Sequence, residues 1–232
     1  RGGYGALRIV DALNPSSLSK DPKPLCGFSD ITVLLHWFFF HGIVSFHGPV
    51  VTQLPRLSAA DRKHLWRLLE DPGYRPVYKG THALGAYASQ LEEPAPLWGG
   101  NLAMLASLVG GPFFTVPENA LLLVEEIAEP PYRLDRLVTQ LARCTALSSI
   151  SAVALGGVTV PNAQKNSHTE NPRAEALSST LAHRFAAEKL CVVRGFPWGH
   201  GNENAAWPLG VNARLHIHNH TLRLLEPAVS DQ

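Results

Sequence analysis

The sequence predicts an α/β fold, and three observations carry that prediction. Short apolar runs alternate with amphipathic stretches of helical period along the chain, and strands alternating with helices build layered α/β structures. Of the 232 residues 45% are hydrophobic, enough to bury the core of one large domain or two small ones. One tract, residues 71–96, loses all periodicity and ends in "EEPAP", which makes it the best linker candidate.

The elements follow in order. Residues 24–28 read as a short buried strand and 30–41 as a helix, with Asp30 or Thr32 near its start. "IVSFHGPV" (43–50) reads as a second strand, ended by Gly48 and Pro49. Residues 58–70 form a clean helix signal: Ser58 is placed to cap it, Asp61 follows three residues on, and Leu65, Leu68 and Leu69 line one face. Beyond the linker, "WGGNLAMLASLVGG" (98–111) reads as a glycine turn feeding a helix, and "ALLLVEEI" (120–127) as a buried strand meeting two carboxylates. Residues 132–143 are helical, with Leu134, Leu137, Val138 and Leu141 on one face. "ISAVALGGV" is a strand, 172–188 a helix and "LCVVRGFP" another strand. The tail "ARLHIHNHTLRLLEP" alternates with period two, as a β-hairpin does.

Composition narrows the function classes. A formal charge of +1 gives no electrostatic reason to expect nucleic acid. No apolar stretch is long enough to span a bilayer, since "VLLHWFFFHGIV" is interrupted by His36, His41 and Gly42. No signal peptide is visible, and the chain opens at Arg1 like the middle of a protein. Cys26, Cys144 and Cys191 are an odd number at irregular spacing, which suits neither a disulfide framework nor a paired zinc motif. A reducing compartment, hence the cytoplasm, is expected. Cys26 lies near Ser29 but reads as a small buried hydrophobe ending a strand.

Chemistry is best sought where a strand turns into a helix. Ser29 stands at such a turn, where a side chain is lifted from the sheet and backbone N–H groups can stabilise an oxyanion. Gly27 precedes it as in a G-x-S-x-G elbow, but Ile31 takes the second glycine position, and serine is also a favoured helix cap. Spacing leaves both readings open. A nucleophilic serine needs a base and a group to orient it. Among eleven histidines His200 stands out, because "RGFPWGHGNEN" is a glycine-rich loop after a strand. Glu125 ends an apolar strand, though periodicity does not separate it from Glu126 or Glu129. "HIHNH" (216–220) suggests a metal site on one strand face, yet divalent sites gather ligands from separate segments, which favours an exposed hairpin. "RGGYG" lacks the preceding strand and following lysine of a phosphate loop.

Seven stretches together resemble one family: "RGGYGALR", "GFSDIT", "SFHGPV", "LWGGNLAML", "LLLVEEIAEPPYRLDR", "GFPWGH" and "PLG". In this order, over nearly the whole chain, they look like the L,D-carboxypeptidases of peptidoglycan recycling (muramoyltetrapeptide carboxypeptidases), serine peptidases whose family also holds the microcin C self-immunity peptidases. The resemblance implies a Ser–Glu–His triad of Ser29, Glu125 and His200, with the backbone amides of Asp30 and Gly3 as oxyanion donors. It implies a muropeptide stem as substrate, cut before its terminal D-alanine, with no metal or organic cofactor. It also implies two domains with the catalytic pocket between them: 1–57 carrying the serine, 58–96 connecting, and 97–232 carrying the acid and the histidine. The family's opening strands have no counterpart before Arg1, so an incomplete N-terminal layer with exposed edges is expected. Analogy with dimeric members suggests a homodimer.

Two further expectations concern binding. A carboxypeptidase must hold the substrate's free carboxylate, and the "WGGN" turn, with Gly100 and Asn101 at a helix start, is the candidate; Arg133 and Arg136 are alternatives. The immunity-type activity, which cleaves an aminoacyl group from a nucleotide, would instead need an aromatic platform, for which Trp98, Trp198 and Trp207 are available.

Overall fold

The computed structural model describes residues 3–18, 20–85, 93–144, 146–160, 171–201 and 203–230. Two sheets organise the fold. The smaller has three strands of two residues each: β1 (Cys26–Gly27), parallel to β2 (Phe46–His47), which in turn pairs antiparallel with β9 (Trp207–Pro208). The larger has eight strands in the order β3-β11-β10-β5-β6-β7-β8-β4. Its centre is parallel: β5 (Ala95–Asn101), β6 (Ala120–Ile127), β7 (Ile150–Thr159) and β8 (Cys191–Arg194). Antiparallel strands complete it: β10 (Asn212–His216) and β11 (Thr221–Leu224) with β3 (Val77–Lys79) on one side, and β4 (His82–Leu84) on the other. The mixed α/β architecture is the one expected.

Six α-helices lie among the described residues: α1 (Ala6–Ile9), α2 (Thr32–Phe40), α3 (Ala59–Glu70), α4 (Leu102–Leu108), α5 (Pro131–Arg143) and α6 (Pro172–Ala187). The start of α3 is the one the sequence indicates: the Ser58 hydroxyl accepts a hydrogen bond from the Asp61 amide at 3.0 Å. None of the helices is long and apolar enough to cross a membrane.

Buried on both faces, the central strands lack the alternation of a half-exposed sheet. Leu122 and Val124 of β6 pack against α4, α5 and α6 through Leu102, Leu134 and Leu181. Leu121 and Leu123 face the other way, into a core shared with Phe46, Trp198 and Trp207 of the small sheet and its neighbours. The small sheet therefore sits on one face of the large one.

Three expectations need correction. Residues 71–96 are not an aperiodic linker: they carry β3 and β4, three residues each, and the start of β5, while 86–92 lie outside the described residues. These strands are too short to show a period and form because distant strands pair with them. "WGGN" is not a turn but the end of β5, paired with β6 from Leu97 to Asn101. The three histidines of "HIHNH" do not share a strand face either. His216 ends β10, while His218 and His220 lie in the hairpin turn, and no metal-binding cluster occurs among the described residues.

Candidate active site

Ser29 follows β1 through Phe28, whose backbone is extended at φ −151°. At Ser29 the chain switches to φ 61° and enters a 3-10 turn, Ser29–Ile31, that runs into α2. A left-handed serine costs about 1–3 kcal/mol, and such outliers persist where the surroundings over-determine them. The surroundings here are dense. The Asp30 carboxylate accepts the first N–H of α1, from Ala6, at 2.9 Å. Through that bond the segment holding Gly3, itself exposed, is tied to the turn.

Helix α2 docks against the end of β5. His36 Nε2 donates to the Gly99 carbonyl at 2.9 Å, and the Asn101 N–H donates to Thr32 Oγ1 at 3.1 Å. Burial pushes the His36 pKa down to about 4, so the ring is neutral and serves as a structural donor. Between these two bonds lies Gly100, where a Cβ would come within 2.5 Å of Thr32 Cγ2. The glycine permits that approach.

One residue past the Gly100–Val124 pair, β6 delivers Glu125 on the face of Leu121 and Leu123, toward the small sheet. Glu126 points the opposite way, under the start of α4. The faces separate the two acids, which the sequence did not. Glu125 is fully buried. Its Oε2 meets His200 Nδ1 at 2.6 Å, and its Oε1 accepts from Asn101 Nδ2 at 3.1 Å. Burial alone would raise its pKa, but hydrogen bonding to His200, with the His47 ring nearby, outweighs that and holds it at about 2. Glu126 is pushed up to about 7 by burial and by the Glu125 charge, against N–H donors from Ile127, Asn101 and Ala103.

His200 lies on the loop after β8. Gly199 lets that loop rest on the acid, since a Cβ there would come within 2.9 Å of Glu125 Cβ. The Gly199 N–H donates to Asn204 Oδ1 at 3.1 Å, which closes the loop on itself. Phe28, next to Ser29, packs its ring 4.6 Å from the His200 ring. That contact brings the turn and the imidazole together; among the described residues no hydrogen bond joins the Ser29 hydroxyl to His200.

Residues 94–215 match the LD-carboxypeptidase C-terminal domain, and residues 1–48 the LD-carboxypeptidase N-terminal domain. The chain belongs to the LD-carboxypeptidase family. The murein tetrapeptide carboxypeptidase of Pseudomonas aeruginosa is 35% identical over 229 residues, 93% of this chain and 70% of that protein. The crystal structure of muramoyltetrapeptide carboxypeptidase from Oxalobacter formigenes superposes with a TM-score of 0.76 at 30% identity, covering 97% of this chain and 75% of that one. The structure of MccF in complex with glutamyl sulfamoyl guanosine shares the fold, with a TM-score of 0.76 at 18% identity over 99% and 75% of the two chains.

Two expectations about binding in this LD-carboxypeptidase fold meet physical obstacles. Asn101 is buried, its amide donates to both Glu125 and Glu126, and its Oδ1 accepts the Met104 N–H, so no part of the side chain is left for a substrate carboxylate. Gly100 is packed against Thr32. Trp98, Trp198 and Trp207 are each at most 1% exposed and cannot serve as a platform for a nucleobase. Of the two alternative anion partners, Arg133 pairs with Glu129 at 2.9 Å and Arg136 lies over the Tyr132 ring. Sequence reasoning missed Thr32, His36 and Glu126 as parts of the site's frame. It also missed His47, whose "SFHGPV" motif was visible but carried no geometric signal.

Proposed function

We propose that this chain is a serine peptidase that removes the terminal D-alanine from muropeptide tetrapeptide stems. The support is the 2.6 Å pairing of the buried Glu125 with the part-buried His200, set beside a serine in left-handed backbone at a strand-to-helix turn. Family membership points to the substrate class.

In this reading Ser29 Oγ attacks the carbonyl carbon of the bond between meso-diaminopimelate and D-alanine. Its proton passes to His200 Nε2, because Nδ1 is committed to Glu125. Glu125 fixes that tautomer and balances the imidazolium charge. The oxyanion is met by backbone N–H groups, with Asp30 and Gly3 as the donors. The C–N bond breaks as the imidazolium returns its proton to the departing amine. Water then attacks the ester, the proton again moves through His200, and serine is regenerated. Three free cysteines fit a reducing compartment.

The test is mass spectrometry of muropeptide tetrapeptide incubated with the purified protein. Loss of one alanine is expected, and Ser29→Ala abolishes it. A Ser29→Ala protein as active as wild type removes the reading.

A further inference from the structure

The two oxygens of Glu125 are used unequally. Oε2 faces His200, whereas among the described residues Oε1 takes only the Asn101 amide as a hydrogen-bond donor. A third group approaches Oε1: His47 Nε2, 3.9 Å away. His47 is fully buried, and among the described residues neither of its ring nitrogens has a hydrogen-bond partner. Buried polar groups are nearly always paired, and leaving one unpaired costs about 1–3 kcal/mol. The ring lies parallel to Trp207 at 5.0 Å and edge-on to Phe28 at 6.2 Å, a slot that a phenylalanine would fill without that cost. A histidine there needs another explanation.

Its place in the fold supplies one. His47 pairs with Gly27 across β1–β2, two residues before Ser29, and with Trp207 across β2–β9. It belongs to the sheet that carries the serine, yet its Nε2 addresses the acid on the other sheet. We propose that His47 is a positioning residue for Glu125: its Nε2–H closes on Oε1 and turns the carboxylate so that Oε2 alone meets His200. The approach needs a shift of less than about 1 Å to reach hydrogen-bond distance. The proposal rests on the catalytic reading of Ser29, Glu125 and His200.

A donor on Oε1 draws charge away from Oε2 and limits how strongly the carboxylate stabilises the His200 imidazolium. The other groups on this carboxylate are His200 itself and the neutral Asn101 amide, which it shares with Glu126. Replacing His47 concentrates charge toward His200 and raises the imidazolium pKa. The acidic limb of kcat/KM then moves to higher pH by about half a unit or more. The freed carboxylate also no longer presents Oε2 alone to His200, and this loss of positioning lowers kcat on the order of tenfold, about 1.4 kcal/mol, with KM little changed.

The experiment compares His47→Phe, His47→Gln and His47→Asn in the full chain. Each is measured by the pH profile of D-alanine release and by NMR titration of the His200 ring, which needs no turnover. His47→Phe keeps the stacking and loses the donor, so both readouts shift. Gln presents a donor where Nε2 stood and stays near wild type. Asn presents one where Nδ1 stood and shifts. A His47→Phe protein with wild-type limb and titration overturns the proposal, as does equal behaviour of Gln and Asn should the Phe variant not fold. An active Ser29→Ala protein instead removes the catalytic reading beneath it. An inactive Ser29→Ala protein with unaffected His47 variants removes this proposal alone.

Discussion

Replacing Gly100 by alanine tests whether the glycine pair of β5 serves close packing or ligand binding. The backbone at Gly100 has φ 145°, a region that L-residues rarely adopt, which costs about 1–3 kcal/mol. The new Cβ would also lie 2.5 Å from Thr32 Cγ2 and 2.8 Å from Thr32 Oγ1, overpacking that typically costs about 1–3 kcal/mol. Together the loss is about 2–6 kcal/mol, a large part of the roughly 5–15 kcal/mol that holds a domain together. Urea denaturation should read it as a lower midpoint with an unchanged slope. Thr32→Ala removes the two closest atoms, leaving only Cβ at 3.2 Å, at the expense of one hydrogen bond to Asn101, about 1 kcal/mol. On that background Gly100→Ala should cost only its backbone share, a coupling of about 1–3 kcal/mol. A Gly100→Ala protein as stable as wild type, or an equal loss on both backgrounds, refutes the packing argument.

Three more expectations concern the same frame. Asn101→Ala should lower stability by about 2.5–4 kcal/mol, through the lost α4 cap and the lost donor to two carboxylates; kcat should fall alike on free-acid and amidated substrates, whereas a KM rise confined to free acids would restore Asn101 as a substrate ligand. Ser29→Gly relieves the left-handed backbone and should raise Tm by about 2–4 °C over Ser29→Ala; no difference between the two argues against strain at the turn. The acids predict opposite pH trends. Glu125, held at about 2, contributes stability that is present above its ordinary value of 4.5 and lost as pH falls toward 2. Glu126 keeps its proton up to about 7 when folded and releases it near 4.5 when unfolded, so it withdraws stability as pH rises between those values. Glu126→Gln should flatten the second trend in denaturation measured across pH, and an unaltered slope contradicts it.

How much of this was legible in the sequence depended on whether the cause was local. The cap of α3 was readable because Ser58 and Asp61 settle it between themselves. The terminal hairpin was readable because its alternation survives in a partly exposed sheet. β5 was misread because two glycines mimic a turn. What makes them a strand is remote: the β6 ladder on one side and Thr32 on the other. β3 and β4 had no signal of their own, since their partners lie more than a hundred residues away. In the site, a strand buried on both faces leaves no alternation to choose between Glu125 and Glu126; only the resemblance to a family made that choice. His47 escaped notice because its meaning lies in a distance to a residue on the other sheet.

The small sheet takes one strand from residues 26–27, one from 46–47 and one from 207–208. A ribosome therefore makes the serine long before it makes the strand that flanks its platform, and the acid and imidazole also arrive late. Contacts so distant along the chain form slowly and cannot close before residue 208 has been made. A nascent polypeptide therefore carries Ser29 without the completed small sheet until residues 207–208 have been made, and a chain interrupted before them lacks β9 altogether.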